Sequence, residues 1–212
     1  ITHINYTSSF NTRLMVPNYV SWSIEPEELQ GQYSRRDVAF SEDPKLGKDS
    51  PSPMDYSRSG WDRGHMCPAA DNKYSLDAMR ESFYMSNMCP QDHSLNEKAW
   101  NNLENACRNW ARQTPVYVVC GPYFNSRKPK THIGNNRVAV PDGFWKVVLR
   151  YYKGEYRGIG FLFENKPYEG SYKNAAVTID EIEKMTGLDF FSALNDKAER
   201  TAESSFDIKM WP

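Results

Sequence analysis

The sequence predicts an α+β fold with a mostly antiparallel sheet, because strand-like segments and helical segments fall into separate groups along the chain. Two apolar runs, residues 144–152 and 156–163, are separated by only three residues, as in a hairpin. Between positions 95 and 110 the apolar residues recur instead with helical spacing. Over parts of residues 1–24 they alternate, which is typical of half-buried strands.

The first part of the chain predicts short strands, a long loop and a short helix. The strands within residues 1–24 are expected to be interrupted at Pro17-Asn18. Residues 41–60 are rich in Ser, Pro, Gly and Asp and predict a long loop. Ser75 can cap a short helix that ends near residue 80. Residues 83–88 are strand-like and complete this part.

A longer helix is expected to begin at Ser94 or Asn96 and to end near Arg112. Its apolar stripe consists of Leu95, Ala99, Leu103, Ala106, Cys107 and Trp110. Trp100 is expected to pack this helix onto the sheet. The continuous apolar run at residues 116–119 suits a buried strand.

The last predicted helix has both of its ends marked in the sequence. Thr178 and Glu181 have the spacing of a capping box, in which each side chain accepts a backbone hydrogen bond. Gly187 is a suitable stop for this helix, since glycine readily adopts the left-handed conformation. Residues 206–212 are too irregular to predict an element.

Length and composition are those of a folded domain, and we expect one domain over residues 1–212. A domain of this size buries enough surface to fold without a metal ion. The net charge is −1, with 26 basic and 27 acidic residues, so the chain lacks the overall basic character common in nucleic-acid binders. Any attraction for phosphate must be local. No apolar run reaches the length of a membrane span, and we expect no membrane partner.

Four cysteines leave two interpretations open. Disulfides Cys67–Cys89 and Cys107–Cys120 would join segments expected to be neighbours, and they would indicate an oxidising compartment. The alternative is four buried free thiols. The first residue, Ile1, fits either a trimmed chain or a mature form after signal removal. We expect a secreted or periplasmic protein from which a signal peptide has been removed.

The motif Asp62-Arg63-Gly64-His65 and the polar residues after it suggest phosphodiester chemistry. A neutral His65 near its usual pKa of about 6.5 can accept a proton from water. The amide oxygen of Asn96 is a hard, neutral ligand that suits Mg²⁺. Glu104 lies roughly 12 Å further along the predicted helix, which fits a carboxylate bonded to the waters of a metal ion.

Three segments, DRGHMCPAAD (62–71), FYMSNMCPQ (83–91) and LNEKAWNNLE (95–104), resemble the DNA/RNA non-specific endonuclease family of ββα-metal, or His-Me finger, enzymes. VYVVCGP (116–122) and VPDGFWKVV (140–148) match it more weakly. The resemblance implies a central sheet flanked by helices and a ββα-metal motif. It also implies Mg²⁺-dependent cleavage of DNA and RNA with little sequence preference, leaving 5′-phosphate ends. Mn²⁺ or another divalent ion could replace Mg²⁺.

The resemblance also assigns roles to further residues. Arg63 would bind phosphate oxygens, with a salt bridge to Asp62 as the alternative. A second, upstream arginine would stabilise the transition state; Arg36 is preferred, and Arg35 remains an alternative. Asn87 matches an active-site asparagine that we expect to orient its neighbours through hydrogen bonds.

The remaining expectations concern histidines, partners and rival functions. We expect surface positions for three further histidines, His3, His93 and His132. DNA and RNA would bind through the phosphate backbone, and a homodimer is compatible with the sequence. Two rivals are a nucleic-acid-binding protein without turnover and a hydrolase of other phosphodiesters. The presence of His65 and Asn96 argues against the first, whereas the near-neutral charge keeps the second open.

Overall fold

The computed structural model describes residues 1–212 as a six-stranded antiparallel sheet in the order β1-β2-β5-β8-β9-β10, with two smaller strand pairs, β3-β4 and β6-β7. The strands are β1 (Tyr6–Asn11), β2 (Val16–Ile24), β3 (Asp62–His65), β4 (Met88–Gln91), β5 (Val116–Tyr123), β6 (His132–Ile133), β7 (Val138–Ala139), β8 (Gly143–Tyr152), β9 (Glu155–Glu164) and β10 (Ala176–Val177). The helices are α1 (Leu76–Glu81), α2 (His93–Leu95), α3 (Asn101–Trp110), α4 (Ile179–Thr186) and α5 (Asp196–Ser204). The predicted α+β class and antiparallel sheet are confirmed.

The two faces of the central sheet are covered by different helices. Along β8, Phe144 and Val148 belong to the larger core, and the Phe144 ring lies 5.6 Å from that of Trp100. Trp145 and Val147 point the other way and pack against α4. This alternation follows from the two-residue period of a strand. Trp100 is 1% exposed, so its predicted packing role is confirmed.

Several predicted boundaries are confirmed by their capping contacts. The Ser75 hydroxyl accepts from the Ala78 amide at the start of α1. Thr178 and Glu181 exchange both bonds of a capping box at the start of α4. Gly187 ends α4 with a φ of 72°. The hairpin of β8 and β9 is also present, with its turn at residues 153 and 154.

Two predictions about elements are wrong, and one helix has no counterpart among the predicted elements. Pro17 and Asn18 lie inside β2, where Pro17 is tolerated because only β1 pairs there and β5 begins pairing at Val20. Of the predicted strand 83–88, only Met88 belongs to a strand, β4; the residues before it form a turn, an isolated bridge and a 3-10 helix (Met85–Asn87). The unpredicted α5 is polar, so no apolar stripe marked it.

The cysteines and His3 also differ from expectation. Cys67, Cys89, Cys107 and Cys120 are buried free thiols, so the predicted disulfides are wrong and the alternative is correct. Neighbouring segments do not ensure that two cysteines meet with disulfide geometry. His3 is 5% exposed, and its Nε2 lies 2.9 Å from the Asp43 carboxylate. A buried ion-pairing partner, invisible in the local sequence, accounts for that error.

No helix of the structure is both long enough and apolar enough to cross a membrane.

Candidate active site

The candidate site is built on a strand pair followed by a helix. β3 carries the Asp-Arg-Gly-His motif and pairs antiparallel with β4, placing Gly64 opposite Cys89 and His65 opposite Met88. A helical stretch, residues 93–110, follows β4 and supplies the polar side chains of the site. Asp92 begins this stretch by accepting from the Leu95 amide at 2.9 Å. Strand, strand and helix therefore form the ββα arrangement that the resemblance implied.

Gly64 is required for the close packing of β3 against β4. A Cβ atom on Gly64 would lie 2.3 Å from Oε1 and 2.6 Å from Cβ of Gln91. Gln91 is completely buried, and its amide makes no hydrogen bond. The absence of a side chain at position 64 thus allows β4 to approach β3 beside His65.

A cavity of about 900 Å³ collects most of the predicted site residues. The polar residues that line it include Arg35, Asp62, Arg63, His65, Lys73, His93, Asn96, Glu97, Asn101, Glu104 and Arg108. Trp61, Phe40 and Met79 contribute apolar surface. The space is large enough for a nucleotide-sized group, and four basic side chains surround it. Three carboxylates, those of Asp62, Glu97 and Glu104, lie among them, so the cavity holds groups of both charges.

His65 is held between aromatic rings and is kept neutral. Its ring centroid lies 4.9 Å from that of Phe83 and 5.7 Å from that of Phe40. The ring makes no hydrogen bond within the chain, and Nε2 is buried. Burial, with a smaller contribution from the positive charge of Arg35, lowers the pKa of His65 to about 3. The imidazole is therefore neutral and unbonded at neutral pH, and it is a weaker base than the pKa of about 6.5 expected from the sequence would make it.

Asp62 fixes the orientation of Asn96. The Asn96 amide nitrogen donates to Asp62 Oδ2 at 2.9 Å, and this leaves the amide oxygen of Asn96 free. The carboxylate can only accept, so it determines which end of the amide faces it. The same Asp62 oxygen lies 2.9 Å from His93 Nδ1. Both contacts explain why Asp62 does not form the alternative salt bridge with Arg63.

Glu104 stands on α3 in the same cavity without a hydrogen-bond partner. Burial raises its pKa to about 7, although Lys146 and Arg108 act in the opposite direction. Lys146 is buried, with its ammonium 4.1 Å from the centre of the Trp100 ring. A carboxylate kept partly out of water, with no partner, is suited to interact with a cation.

The helical stretch changes its winding where Asn96 lies. Residues Asn96–Trp100 form a π-helical turn between α2 and α3, an arrangement that is often found at functional sites. The wider turn alters the angle between Asn96 and Glu104 from that of a regular α-helix. No local pattern in the sequence indicates this π-helical turn, since the residues are compatible with an ordinary helix.

The two candidate phosphate-binding arginines are placed differently. The Arg63 guanidinium donates to the Pro53 carbonyl at 2.8 Å and lies 5.0 Å from the centre of the Phe40 ring. Arg35 lines the cavity and stacks over Phe83 at 5.7 Å, whereas its neighbour Arg36 does not line the cavity. The geometry therefore favours Arg35 over the preferred Arg36.

Asn87 lies below the site and holds the chain just after His65. Its oxygen accepts from the Cys67 amide at 2.9 Å, and its nitrogen donates to the carbonyls of Cys67 and Ser82. The Asn87 carbonyl accepts from the Met66 amide at 2.9 Å. Asn87 is fully buried, and its hydrogen bonds hold Met66 and Cys67 in place.

Sequence reasoning missed two groups in the cavity. Arg108 lies four residues after Glu104, so its place on the same helix face was readable from helical spacing. Its guanidinium donates to Asp71 at 2.7 Å. His93 is exposed as predicted, but it lies at the cavity and contacts Asp62 and Glu97. The hydrogen bond to Asp62, together with the charges of these carboxylates, raises the pKa of His93. That position depends on the pairing of β3 with β4 and could not be read locally.

Strand pair, helix and histidine cavity together define a protein of the ββα-metal class. The profile of the DNA/RNA non-specific endonuclease family matches residues 1–197. The chain belongs to this family, whose members are nucleases, and the resemblance seen in the sequence is confirmed.

Individual relatives agree with this assignment. The chain is 34% identical over 208 residues to "Nuclease EXOG, mitochondrial" of Xenopus laevis, which covers 91% of this chain and 58% of that protein. It is 35% identical over 199 residues to human "Endonuclease G, mitochondrial", covering 88% and 67%. A crystal structure of the EndoG/EndoGI complex superposes with a TM-score of 0.86 at 29% identity, covering 93% of this chain and 87% of the other.

The relatives also correct the expected location. EXOG of Xenopus laevis and endonuclease G of Homo sapiens are mitochondrial nucleases. A third relative, "Nuclease 1, mitochondrial" of Schizosaccharomyces pombe, is 35% identical to the chain over 206 residues, which cover 64% of that protein. The prediction of a secreted or periplasmic protein is therefore wrong. Its main support was the oxidising compartment inferred from disulfides, and the four cysteines are free.

Proposed function

We propose that this chain is a metal-dependent endonuclease that hydrolyses phosphodiester bonds of DNA and RNA with little sequence preference. The observation that carries the proposal is the convergence of a neutral, unbonded His65 with Asn96 and Glu104 in one cavity lined by basic side chains. The family assignment supports the nuclease activity. The proposal extends to the identity of the metal ion, the ends of the products and the role of each residue.

Oxygen donors in the cavity fit a hard divalent ion, and we propose Mg²⁺, with Mn²⁺ as an alternative. The amide oxygen of Asn96 is free because Asp62 binds the amide nitrogen. Glu104 has no partner and would hold waters of the ion, as its greater distance along the helix suggests. When bound, the ion supplies positive charge to the phosphate and to the departing 3′ oxygen. A cation nearby would also lower the pKa of Glu104 and keep it ionised.

The residues of the chain perform the remaining steps. His65 accepts a proton from a water molecule, whose oxygen attacks phosphorus; the bond from phosphorus to the 3′ oxygen breaks and a 5′-phosphate results. Arg63 and Arg35 donate to the phosphate oxygens and offset their charge. Asn87 keeps the chain after His65 in place. Contacts confined to phosphate would give little sequence preference.

Substrate and assembly follow as further parts of the proposal. The basic cavity wall favours the nucleic-acid backbone over small uncharged substrates. Residues 1–212 would act as one endonuclease domain, and a homodimer stays a prediction.

Digestion of plasmid DNA and of RNA with Mg²⁺, with Mn²⁺ and with EDTA tests the proposal, beside a small chromogenic diester. The test compares wild type, His65→Ala and a control, His132→Ala, which removes a histidine outside the cavity. General-base catalysis contributes roughly 10²–10⁴-fold, so we expect His65→Ala to lose at least a hundredfold in rate while the control remains active. Cleavage by His65→Ala at more than a tenth of the wild-type rate would show that another group is the base. Activity in EDTA would remove the metal from the proposal.

A further inference from the structure

A second group of carboxylates lies on the opposite face of the central sheet from the histidine cavity. Asp180 and Glu183 stand on α4, and Glu203 stands in the last turn of α5. One carboxylate oxygen from each of the three lies within 4.8 Å of the other two. Two oxygens bound to one Ca²⁺ at about 2.4 Å can be at most about 4.8 Å apart, so the spacing matches a shared ion.

Glu203 sets this group apart from an ordinary acidic surface. The residue is only 6% exposed, and Oε1 is buried without a hydrogen-bond partner. A buried carboxylate is normally paired with a cation or satisfied by donors. No lysine, arginine or histidine forms an ion pair with Asp180, Glu183 or Glu203. The C-terminal end of a helix disfavours negative charge such as that of Glu203. The last turn of α5 contains no basic residue that would offset this charge.

Glu183 is already held in position for a ligand role. Its Oε1 accepts from the Phe190 amide at 2.8 Å, which fixes the carboxylate and leaves Oε2 unused. Asp180 is exposed, so water can complete the coordination of an ion there. Burial, followed by the negative charges of Glu183, Glu199, Asp180 and Asp189, raises the pKa of Glu203 to about 8. The charges that act most strongly on Glu203 are therefore all acidic.

We propose that Asp180, Glu183 and Glu203 form a structural Ca²⁺ site that ties α4 to α5 on the outer face of the sheet. Calcium suits the site better than magnesium, because Ca²⁺ accepts irregular, carboxylate-rich surroundings and Mg²⁺ demands near-ideal octahedral geometry. The ion would hold α5 against β9, where a Cβ on Gly158 would lie 2.5 Å from the Ala202 carbonyl oxygen. The proposal stands whether or not the histidine cavity is catalytic.

Calcium binding to the full chain tests the site, provided that the histidine cavity is kept from contributing. We would use Asn96→Ala as the parent, because it removes the proposed metal ligand of the cavity. Calorimetric titration with Ca²⁺ should then show one site per chain, with a dissociation constant on the order of 10⁻⁴–10⁻³ M, as in weak calcium sites. Adding Glu203→Gln should weaken binding at least tenfold.

Two further variants make the result decisive. Asp180→Asn removes an exposed ligand without disturbing packing and should also weaken binding, even if Glu203→Gln fails to fold. Asp196→Asn removes a charge from the exposed start of α5, outside the group, and should bind Ca²⁺ as the parent does. Ca²⁺ should raise the melting temperature of the parent and of Asp196→Asn only. Equal Ca²⁺ binding in all variants, or none in the parent, would overturn the site; a parent stabilised only by acid would show that the group holds a proton instead.

Discussion

At the scale of single residues, the two adjacent arginines provide a matched test of the phosphate contacts. Arg35 lines the cavity with His65, and Arg36 is exposed outside it. We expect Arg35→Ala to lower the cleavage rate by about tenfold or more, since charge-assisted bonds to phosphate are worth about 1.5–3 kcal/mol. Arg36→Ala should remain within about twofold of wild type. Steady-state plasmid cleavage measures both, and a larger loss in Arg36→Ala would restore the assignment made from the sequence.

The Glu104 carboxylate is expected to lower the stability of the metal-free chain at high pH, although the same carboxylate is needed for cleavage with Mg²⁺. Its pKa is about 7 in the folded chain against an ordinary 4.5, so folding favours the protonated form. This contribution to stability is complete below about pH 4.5 and is lost as pH rises through 7. At pH 8 in EDTA, Glu104→Gln should therefore have the larger free energy of unfolding, by about 1–3 kcal/mol, and at pH 4.5 the two should agree.

Denaturant unfolding at both pH values measures this difference, with Glu42→Gln, an exposed position outside the cavity, as the control. The stabilised variant should nevertheless cleave plasmid more slowly with Mg²⁺, by roughly 10–100-fold, the usual loss for a group that acts through metal-bound water. A Glu104→Gln protein that is less stable than wild type at pH 8 would mean that the carboxylate has a favourable partner in solution.

Site residues could be predicted where a short sequence motif determines them, and could not be predicted where local turns or contacts with distant residues determine their positions. The roles proposed for His65, Asn96 and Glu104 rest on a motif within one stretch of chain, and the fold places all three in one cavity. Arg35 rather than Arg36 faces that cavity because of the turn Arg35–Asp37, which the sequence did not predict. His3 was misplaced because its partner, Asp43, is distant in sequence.

At the scale of elements, the strand pair that carries His65 depends on Gly64. An added methyl group would lie 2.3 Å from Gln91 Oε1, so β4 or the Gln91 side chain must move. Overpacking of this kind costs about 1–3 kcal/mol, and we expect Gly64→Ala to lose that stability and most of its cleavage activity. The double variant Gly64→Ala/Gln91→Gly removes the contacts with both Oε1 and Cβ of Gln91 and should recover part of both. Denaturant unfolding and plasmid cleavage decide the matter: equal stability of Gly64→Ala and wild type would show that the strands adjust freely.

Elements with strong end signals were predicted well, and elements without them were not. α4 has its capping box and Gly187, and the β8–β9 hairpin has two long apolar runs, so both were found with nearly correct bounds. α5 is polar and is held by contacts with β9, and the π-helical turn Asn96–Trp100 replaces what looks like regular helix. Tertiary contacts, which no local pattern records, decide such cases.

At the scale of the whole molecule, the sheet separates two regions with different chemistry. The face covered by α3 carries the histidine cavity and the larger core, and the face covered by α4 carries the carboxylate group of Asp180, Glu183 and Glu203. Removing charge from the carboxylate group should therefore leave plasmid cleavage unchanged at temperatures well below melting. The four cysteines all belong to the larger core, so they report on its integrity.

That placement predicts how the thiols react. Each of the four cysteines is at most 2% exposed, and burial raises the pKa of Cys107 and Cys120 to about 12, so the reactive thiolate is scarce. We expect no thiol to react with an aromatic disulfide reagent in the native chain, and four to react after unfolding without reductant. In partial denaturant, labelling should follow the loss of tryptophan fluorescence, because only global opening exposes this core. In Cys107→Ala, three thiols should react after unfolding, and none should react in the native chain. A count of two or zero in the unfolded, unreduced chain would restore the disulfides, and rapid labelling of the native chain would mean that the core opens locally around the thiol concerned.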